Sequence, residues 1–151
     1  MSIRIKQTDS MEEKKICAQM LTENEPWKRI GKEYTYHLSK FTADDTVLFV
    51  AMDGEEIIGC LLLETSHVLK PFVRALCVKE GYRNQHIGQQ LLRAAEEYSF
   101  QTEENVFLFT DTEPGLRFYQ RNGYNQIGVI EDFNKEGVHE IILRKQKKKE
   151  R

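Results

Sequence analysis

The sequence lacks a long hydrophobic run and a dominant charge. No stretch approaches the roughly 18 consecutive apolar residues of a membrane-spanning helix, and Met1–Lys15 turns charged without the apolar segment of a secretory signal. The 22 basic and 24 acidic residues leave a formal net charge of −2, which gives no overall attraction to nucleic acid. We therefore expect a cytoplasmic protein that binds neither membranes nor nucleic acid.

Cysteine and histidine are sparse, and their spacing favours neither disulfides nor a metal. Cys17, Cys60 and Cys77 are odd in number and scattered, which is typical of buried free thiols in a reducing compartment. The 4 histidines lie far apart, with no i,i+4 pair and no cysteine pair nearby. Because metal sites need clustered ligands, we expect no metal.

The hydrophobic pattern predicts one α/β domain in this chain of 151 residues. The predicted strands are Ser2–Gln7, Thr46–Met52, Ile57–Glu64, Val73–Val78, Val106–Thr110, Gln126–Ile130 and Glu140–Arg144. The predicted helices run from Met11 to about Leu21, Trp27 to about Ser39, Ile87 to about Phe100, and Pro114 toward Gly123. The order β-α-α-β-β-β-α-β-α-β-β indicates a mixed, twisted, six- to seven-stranded sheet with helices on both faces. We expect the domain to cover residues 1–144 and residues 145–151 to form a frayed basic tail.

Two local patterns refine this layout. Asp53-Gly54 between two apolar runs predicts a β-hairpin, and the runs are so continuously apolar that both faces of their strands should be covered. In the third predicted helix, Ile87, Leu91 and Ala95 share one stripe, so Glu96 should point outward.

The stretch Val73–Leu92, VRALCVKEGYRNQHIGQQLL, predicts a phosphate site. An apolar strand passes through the polar bend Lys79–Asn84 into a helix that starts near Gly88. The first turn of such a helix presents unpaired backbone N–H groups and the positive end of the helix dipole. Both attract an anion, above all a phosphate.

Two motifs resemble those of the GNAT superfamily of N-acetyltransferases. Arg83 and Gly88 fill the first and last positions of the acetyl-CoA motif Arg/Gln-x-x-Gly-x-Gly/Ala, while His86 stands where the middle glycine is expected. The run Pro114–Tyr124, PGLRFYQRNGY, matches the family signature Phe-Tyr-x-x-x-Gly-Phe/Tyr. The resemblance covers nearly the whole chain and implies a GNAT-like fold with acetyl-CoA as co-substrate.

The resemblance also implies which residues contact acetyl-CoA. The pantetheine arm would lie along the strand, the thioester oxygen would meet an N–H near Leu76 or Cys77, and the pyrophosphate would sit on the following loop. The implied contact residues are Leu76, Cys77, Val78, Arg83, Asn84, Gln85, His86, Ile87, Gly88, Gln89, Thr112 and Tyr119. His86 either weakens this loop, adds a donor to it, or points to solvent. Direct transfer in the family implies no covalent role for Cys77.

Transfer to an amine requires an acid and a base. Tyr119 matches the family position whose phenol protonates the leaving thiolate; the alternative is a core tyrosine whose hydroxyl caps a backbone group. The family often places a glutamate on the strand that here spans Phe72–Val78, which holds no carboxylate. Glu64 is the nearest substitute by sequence, with Asp111 and Glu33 behind it, and each can also be an ordinary surface or capping group.

The first two predicted helices, the second of which carries aromatic residues, suggest an acceptor site. Trp27, Glu33 and Tyr34 would line it if those helices face the cleft, and aromatic rings with a carboxylate suit a cationic amine. We predict an N-acetyltransferase acting on a primary amine, a small molecule rather than a protein lysine or N-terminus. A non-catalytic acyl-CoA-binding module and a generic phosphate-binding domain are the alternatives. The sequence is compatible with a homodimer and does not fix the oligomeric state.

Overall fold

The computed structural model describes residues 2–148; Met1 and residues 149–151, the end of the predicted tail, lie outside the described residues. The strands are β1 Ile3–Thr8, β2 Thr46–Asp53, β3 Glu56–Glu64, β4 Phe72–Val78, β5 Asn105–Thr110, β6 Asn125–Lys135 and β7 Val138–Gln146. The helices are α1 Met11–Glu23, α2 Trp27–Ile30, α3 Tyr34–Phe41, α4 Ile87–Ser99 and α5 Glu113–Arg121.

The strands form one mixed sheet in the order β1-β2-β3-β4-β5-β7-β6. Its neighbouring strands run antiparallel except for β4 and β5, which are parallel because α4 connects them. The Asp53-Gly54 hairpin is present: Asp53 pairs with Glu56, and Gly54 takes a φ of 61° that suits a tight turn. The predicted α/β class with a seven-stranded sheet is therefore confirmed.

Two hydrophobic cores lie on opposite faces of the sheet. On the first, here called the α4 face, Leu91 and Ala95 of α4 pack with Leu61 and Leu63 of β3. On the second, the α1 face, helices α1 and α3 pack over the alternate residues of β3, such as Leu62. The continuous apolar run of β3 follows from this arrangement, because successive side chains enter different cores.

The core on the α1 face covers only half of the sheet. It draws on β2, β3 and β4, and on none of the described residues of β5, β6 and β7. Phe133 of β6, for example, is 49% exposed. The half of the α1 face that β5, β7 and β6 form is therefore accessible, and it begins at the parallel pair β4 and β5.

Two predicted boundaries were wrong. The single helix from Trp27 to Ser39 is split into α2 and α3 because Gly31 adopts the left-handed conformation, with a φ of 77°, and ends α2. Residues 145 and 146, assigned to the frayed tail, belong to β7. Lys145 pairs with Val106 and Gln146 with Asn105, so the ladder with β5 orders them.

Glu96 also differs from its prediction. It is only 7% exposed, instead of facing solvent from α4. Its carboxylate accepts a hydrogen bond from Tyr124 Oη at 2.8 Å and one from Lys145 Nζ at 2.8 Å. A buried carboxylate is tolerated only with such partners, and both come from the distant C-terminal strands, so helical periodicity alone could not reveal them.

Loss of the Lys145 ammonium should destabilise the fold. Lys145→Met leaves Glu96 buried with one partner fewer, and removal of one member of a buried pair costs several kcal/mol. Because Lys145 is partly exposed, we expect a loss of about 2 kcal/mol in the free energy of unfolding, measured by urea denaturation. Lys148→Met, at an exposed site two residues past β7, is the matched control and should change little. Equal stability of the two variants would contradict this role.

Candidate active site

The parallel strands β4 and β5 separate along their length. They pair only at Phe72–Phe107 and Val73–Leu108, so the carboxyl-terminal half of β4 has no neighbour on the β5 side. A bulge accompanies the split: Leu63 and Leu62 of β3 pair with Val73 and Ala75, which leaves Arg74 as an extra residue. The result is a gap between two central strands, bordered by an open strand edge.

The contacts of β4 show which of its backbone groups face this gap. The Leu76 carbonyl accepts from Trp27 Nε1 at 3.2 Å, and the Val78 carbonyl accepts from Arg83 Nε at 3.3 Å. The N–H and C=O of one strand residue point to the same edge, so the N–H groups of Leu76 and Val78 face the gap. The Lys79 N–H donates to the Ile58 carbonyl of β3 at 2.9 Å, so the backbone groups of Cys77, two residues earlier, also face β3. Leu76, rather than Cys77, is thus the better donor to a ligand in the gap.

The loop between β4 and α4 presents unpaired donors at the wide end of the gap. None of the backbone N–H groups from Arg83 to Gln89 donates a hydrogen bond to another described residue. Asn84 and His86 adopt the left-handed conformation, with φ of 64° and 60°, and α4 begins directly afterwards. Consecutive N–H groups in such a turn, added to the helix dipole, form a concave anion site.

His86 therefore occupies a position that glycine would fill without strain. Its φ of 60° is allowed but uncommon for a residue with a Cβ, and histidine tolerates it better than most residues. The imidazole is exposed and makes no capping hydrogen bond to α4. The loop thus adopts a left-handed turn at this position although the glycine of the motif is missing.

Side chains brace this loop from behind. The Arg83 guanidinium donates to the carbonyls of Val78 and Glu25, and Asn24 accepts from the Glu80 N–H at 2.8 Å. These contacts fasten the loop to the turn between α1 and α2. The role of the Arg83 side chain in the structure is therefore to hold the loop, and its backbone N–H remains free to bind an anion.

Two further motif residues connect α4 with α5. The Gln89 side chain donates to Asn122 Oδ1 at 3.0 Å. Gly88 lies against Phe118, whose Cζ would be 3.4 Å from an added Cβ. The Ile87 side chain is buried in the core on the α4 face. Gln85, next to His86, is exposed. Helix α5 is therefore held close to the wide end of the gap.

Tyr119 lies on α5 and its ring contacts those of Phe118 and Tyr124, with centroids 5.1 and 5.9 Å apart. Burial raises the pKa of its phenol, which stays protonated and can donate at neutral pH. Its hydroxyl has no hydrogen-bond partner among residues 2–148, so the alternative of a backbone cap is not seen. Thr112 does cap α5: its Oγ1 accepts from the Gly115 N–H at 3.1 Å.

The thiol of Cys77 is unsuited to act as a nucleophile. Burial raises its pKa to about 12, and the side chain is 2% exposed. A thiol must ionise to attack, and this one stays protonated at neutral pH.

Three carboxylates lie on or near the open part of the α1 face. Glu64, at the end of β3, has one oxygen 4.0 Å from Arg74 Nε and the other buried without a hydrogen bond in the described structure. Asp111 follows β5 directly, 3.8 Å from Arg29 Nη2. Glu140 of β7 was missed by the sequence reasoning. Burial and the nearby Asp111 raise its pKa to about 7.

The residues predicted to line an acceptor site are not brought together. Trp27 reaches the gap through its indole, whereas Tyr34 lines a separate groove of about 440 Å³ with Ile16 and Lys79. Glu33 is exposed at the residue before α3 and makes no capping bond. A second cavity, of about 300 Å³, lies at the end of β5, and its lining includes Arg29, Asp111, Thr112, Val138 and His139.

A sheet split between two parallel strands, with a free strand edge leading to the unpaired N–H groups at the start of a helix, suits an extended ligand that carries a phosphate. Residues 44–126, more than half of the chain, match the family model described as "Acetyltransferase (GNAT) domain". The chain belongs to the GNAT acetyltransferase family and is an acetyltransferase. The family predicted from the two motifs is confirmed.

Solved structures show the same fold at low sequence identity. The ribosomal-protein-S18-alanine N-acetyltransferase from Escherichia coli superposes with a TM-score of 0.81 at 10% identity, covering 99% of this chain and 97% of that one. An aminoglycoside 6'-N-acetyltransferase complexed with coenzyme A gives 0.80 at 17%, covering 100% and 99%. The IAA acetyltransferase from Bacillus cereus gives 0.76 at 20%, covering 97% and 100%. No curated protein matches the sequence significantly.

Residues 2–148 contain no cluster of three or more His, Cys, Asp or Glu side chains that could hold a metal ion. None of the helices in this range is long and apolar enough to cross a bilayer.

Substitution of His86 should separate the effect of backbone strain from that of the imidazole. His86→Gly relieves the left-handed strain and His86→Ala retains it, while both remove the ring. We expect the glycine variant to be more stable than the alanine variant by about 1 kcal/mol in urea unfolding. An alanine variant at least as stable as the glycine variant would contradict the left-handed geometry.

Proposed function

We propose that this acetyltransferase moves the acetyl group of acetyl-CoA directly to a primary amine of a small molecule. The main supporting observation is the open edge of β4, which continues into the unpaired N–H groups from Arg83 to Gln89. A ligand with an extended amide-containing arm and a pyrophosphate complements both parts. Coenzyme A has this constitution.

The binding mode follows from the donors present. The N–H groups of Leu76 and Val78 would pair with the amides of the pantetheine arm as an added strand does. The loop would bind the pyrophosphate through backbone N–H groups and the α4 dipole. The arm would then leave the thioester carbonyl near Leu76, whose N–H would stabilise the oxyanion of the tetrahedral intermediate.

Tyr119 would act as the general acid. When the intermediate collapses, the thiolate sulfur needs a proton, and the Tyr119 phenol, which is neutral at pH 7, can supply it. The hydrogen bond from Gln89 to Asn122 joins the end of α5 to the start of α4, and this contact supports a position of Tyr119 beside the coenzyme.

The acceptor side supports a small, cationic amine. The cavity beside Asp111 measures about 300 Å³, which is at the lower end of the range for small-molecule sites. On the same half of the sheet Phe72 packs against His67 and Phe109, with centroids 4.1 and 4.9 Å apart, and these rings suit a cation. The names of the related structures include both an aminoglycoside and a ribosomal protein, so they do not decide between acceptor classes.

The alternative is a member of the family that binds acyl-CoA without turning it over. One observation favours it: β4 holds no carboxylate, so the usual position of a base on this strand is unfilled. A screen of primary amines and peptides with acetyl-CoA, read by release of free thiol, tests the proposal. Thiol release with small amines supports it. Release with peptides alone would overturn the small-molecule assignment, and release with neither would favour the binding module.

Tyr119→Phe should lower kcat by roughly 10²-fold, the usual contribution of a general acid. The dissociation constant for acetyl-CoA, measured by calorimetry, should change less than about twofold, because the phenol acts on the sulfur only as it leaves. Tyr98→Phe, on the outward side of α4, is the matched loss of a hydroxyl and should retain activity. Undiminished turnover in Tyr119→Phe would remove this residue from the mechanism.

A further inference from the structure

Asp111 and Glu140 are neighbours across the β5–β7 ladder. The last pair of that ladder joins Thr110 to Ile141, so the next two residues along it are Asp111 and Glu140. Ile141 and Leu143 contribute to the core on the α4 face, and strand side chains alternate. Glu140 therefore projects to the α1 face, where the helical cover ends at β4. Asp111 follows the same alternation and meets Arg29 of α2 there.

This pair lies about one residue beyond the level of the expected reacting carbonyl. Val73 of β4 is in register with Leu108 of β5, and because Arg74 is an extra residue in β4, Leu76 is level with about Thr110, the residue before Asp111. Glu64 is three residues along β3 from Leu61, which pairs with Leu76. At the rise of a β-strand, that difference is roughly 10 Å. Asp111 and Glu140 are thus better placed than Glu64 to act beside the Leu76 N–H.

The pair also lies opposite the acid. Tyr119 packs with the core on the α4 face, whereas Glu140 projects from the α1 face. An amine that attacks the thioester from the α1 face would meet Glu140 on its own side, and the sulfur would leave toward Tyr119. This separation keeps the two proton transfers on different groups.

We propose that Glu140 is the base that takes the proton from the ammonium group of the acceptor, and that the negative charge of Asp111 makes the Glu140 carboxylate a stronger base. This inference rests on the proposed function. Glu140 lies on β7, outside β4, the strand on which the family often carries a glutamate. Asp111 would be a positioning residue that acts through Glu140.

The proton and electron balance is simple. The carboxylate of Glu140 takes one proton from R–NH₃⁺ and passes it to solvent. The freed nitrogen lone pair forms the C–N bond to the thioester carbon. As the C–S bond breaks, the sulfur takes a proton from the Tyr119 hydroxyl, and the second proton lost by nitrogen restores the phenol through solvent. The products are the N-acetyl amine, coenzyme A and one released proton.

The charges around Glu140 agree with this role. Asp111 faces Glu140 from β5, and Arg29 of α2 approaches Asp111 at 3.8 Å. The partner of Glu140 on β6 is the uncharged Ile130. His139, its neighbour on β7, is near Asp132, with 3.9 Å between Nδ1 and Oδ1. Burial and Asp111 raise the Glu140 pKa to about 7, which is close to the value that suits a base at neutral pH. A raised pKa means that the basic form is lost as the pH falls through about 7.

The test is the pH dependence of kcat/KM for an amine found active in the thiol-release screen. The wild-type enzyme should show an acidic limb near pH 7, below which activity falls tenfold per pH unit. Glu140→Gln should lower kcat/KM by roughly 10²-fold and abolish that limb. Asp111→Asn should move the limb to lower pH, because the repulsion that raises the pKa is removed.

Controls separate this role from a structural one. Glu131→Gln removes an exposed carboxylate from the neighbouring strand β6 and should leave the profile unchanged. Glu140→Asp should recover part of the activity lost in Glu140→Gln, and acetyl-CoA affinity should be equal in all variants. The ¹³C carboxyl shift of Glu140 supplies a readout that needs no acceptor and should titrate near pH 7.

The outcomes distinguish the two proposals. An active wild-type enzyme whose Glu140→Gln variant retains both turnover and the acidic limb overturns the role of Glu140 and leaves the proposed function standing. A wild-type protein that acetylates no amine overturns the proposed function. A Glu140 carboxyl that titrates near pH 4 overturns the inference whatever the acceptor is.

Discussion

The site depends on one constraint: β4 and β5 cannot remain paired over their full length. They share only two paired positions, and beyond these the bulge at Arg74 and the separation of the strands leave the edge of β4 free. An unpaired strand edge in the middle of a sheet is costly unless something else bonds to it. Here Trp27 and Arg83 donate to the carbonyls of Leu76 and Val78, and the N–H groups of the same residues face the gap.

The split also explains why the molecule has two different faces. On the α4 face, helices α4 and α5 close the gap and bring the start of α4 and Tyr119 to it. On the α1 face, the helical cover stops at β4, so the outer strands stay open to an acceptor. Under the proposed function, the coenzyme and the amine would therefore approach Leu76 from different sides without competing for the same surface.

The loop between β4 and α4 has a left-handed turn at the motif's middle glycine position, although His86 occupies it. The turn before α4 needs a left-handed residue, and His86 adopts that conformation with a φ of 60°. The unpaired N–H groups depend on this backbone path and not on the side chain. The departure from the family motif therefore adds the strain of a left-handed residue that carries a Cβ, while the unpaired N–H groups of the loop are retained.

The sequence by itself determined the features that depend on neighbouring residues. Alternating and helical periodicities, the Asp53-Gly54 hairpin and the two motifs around Gly88 and Tyr119 are local, and they led to the α/β class and the family. Only tertiary structure decided what depends on distant segments meeting. Glu96 is buried because Lys145 and Tyr124 reach it. The pKa of Glu140 is raised because the fold buries its carboxyl group and strand pairing brings it next to Asp111. The energy of a carboxylate depends on the charges and solvent around it, and sequence spacing does not reveal those until the chain has folded.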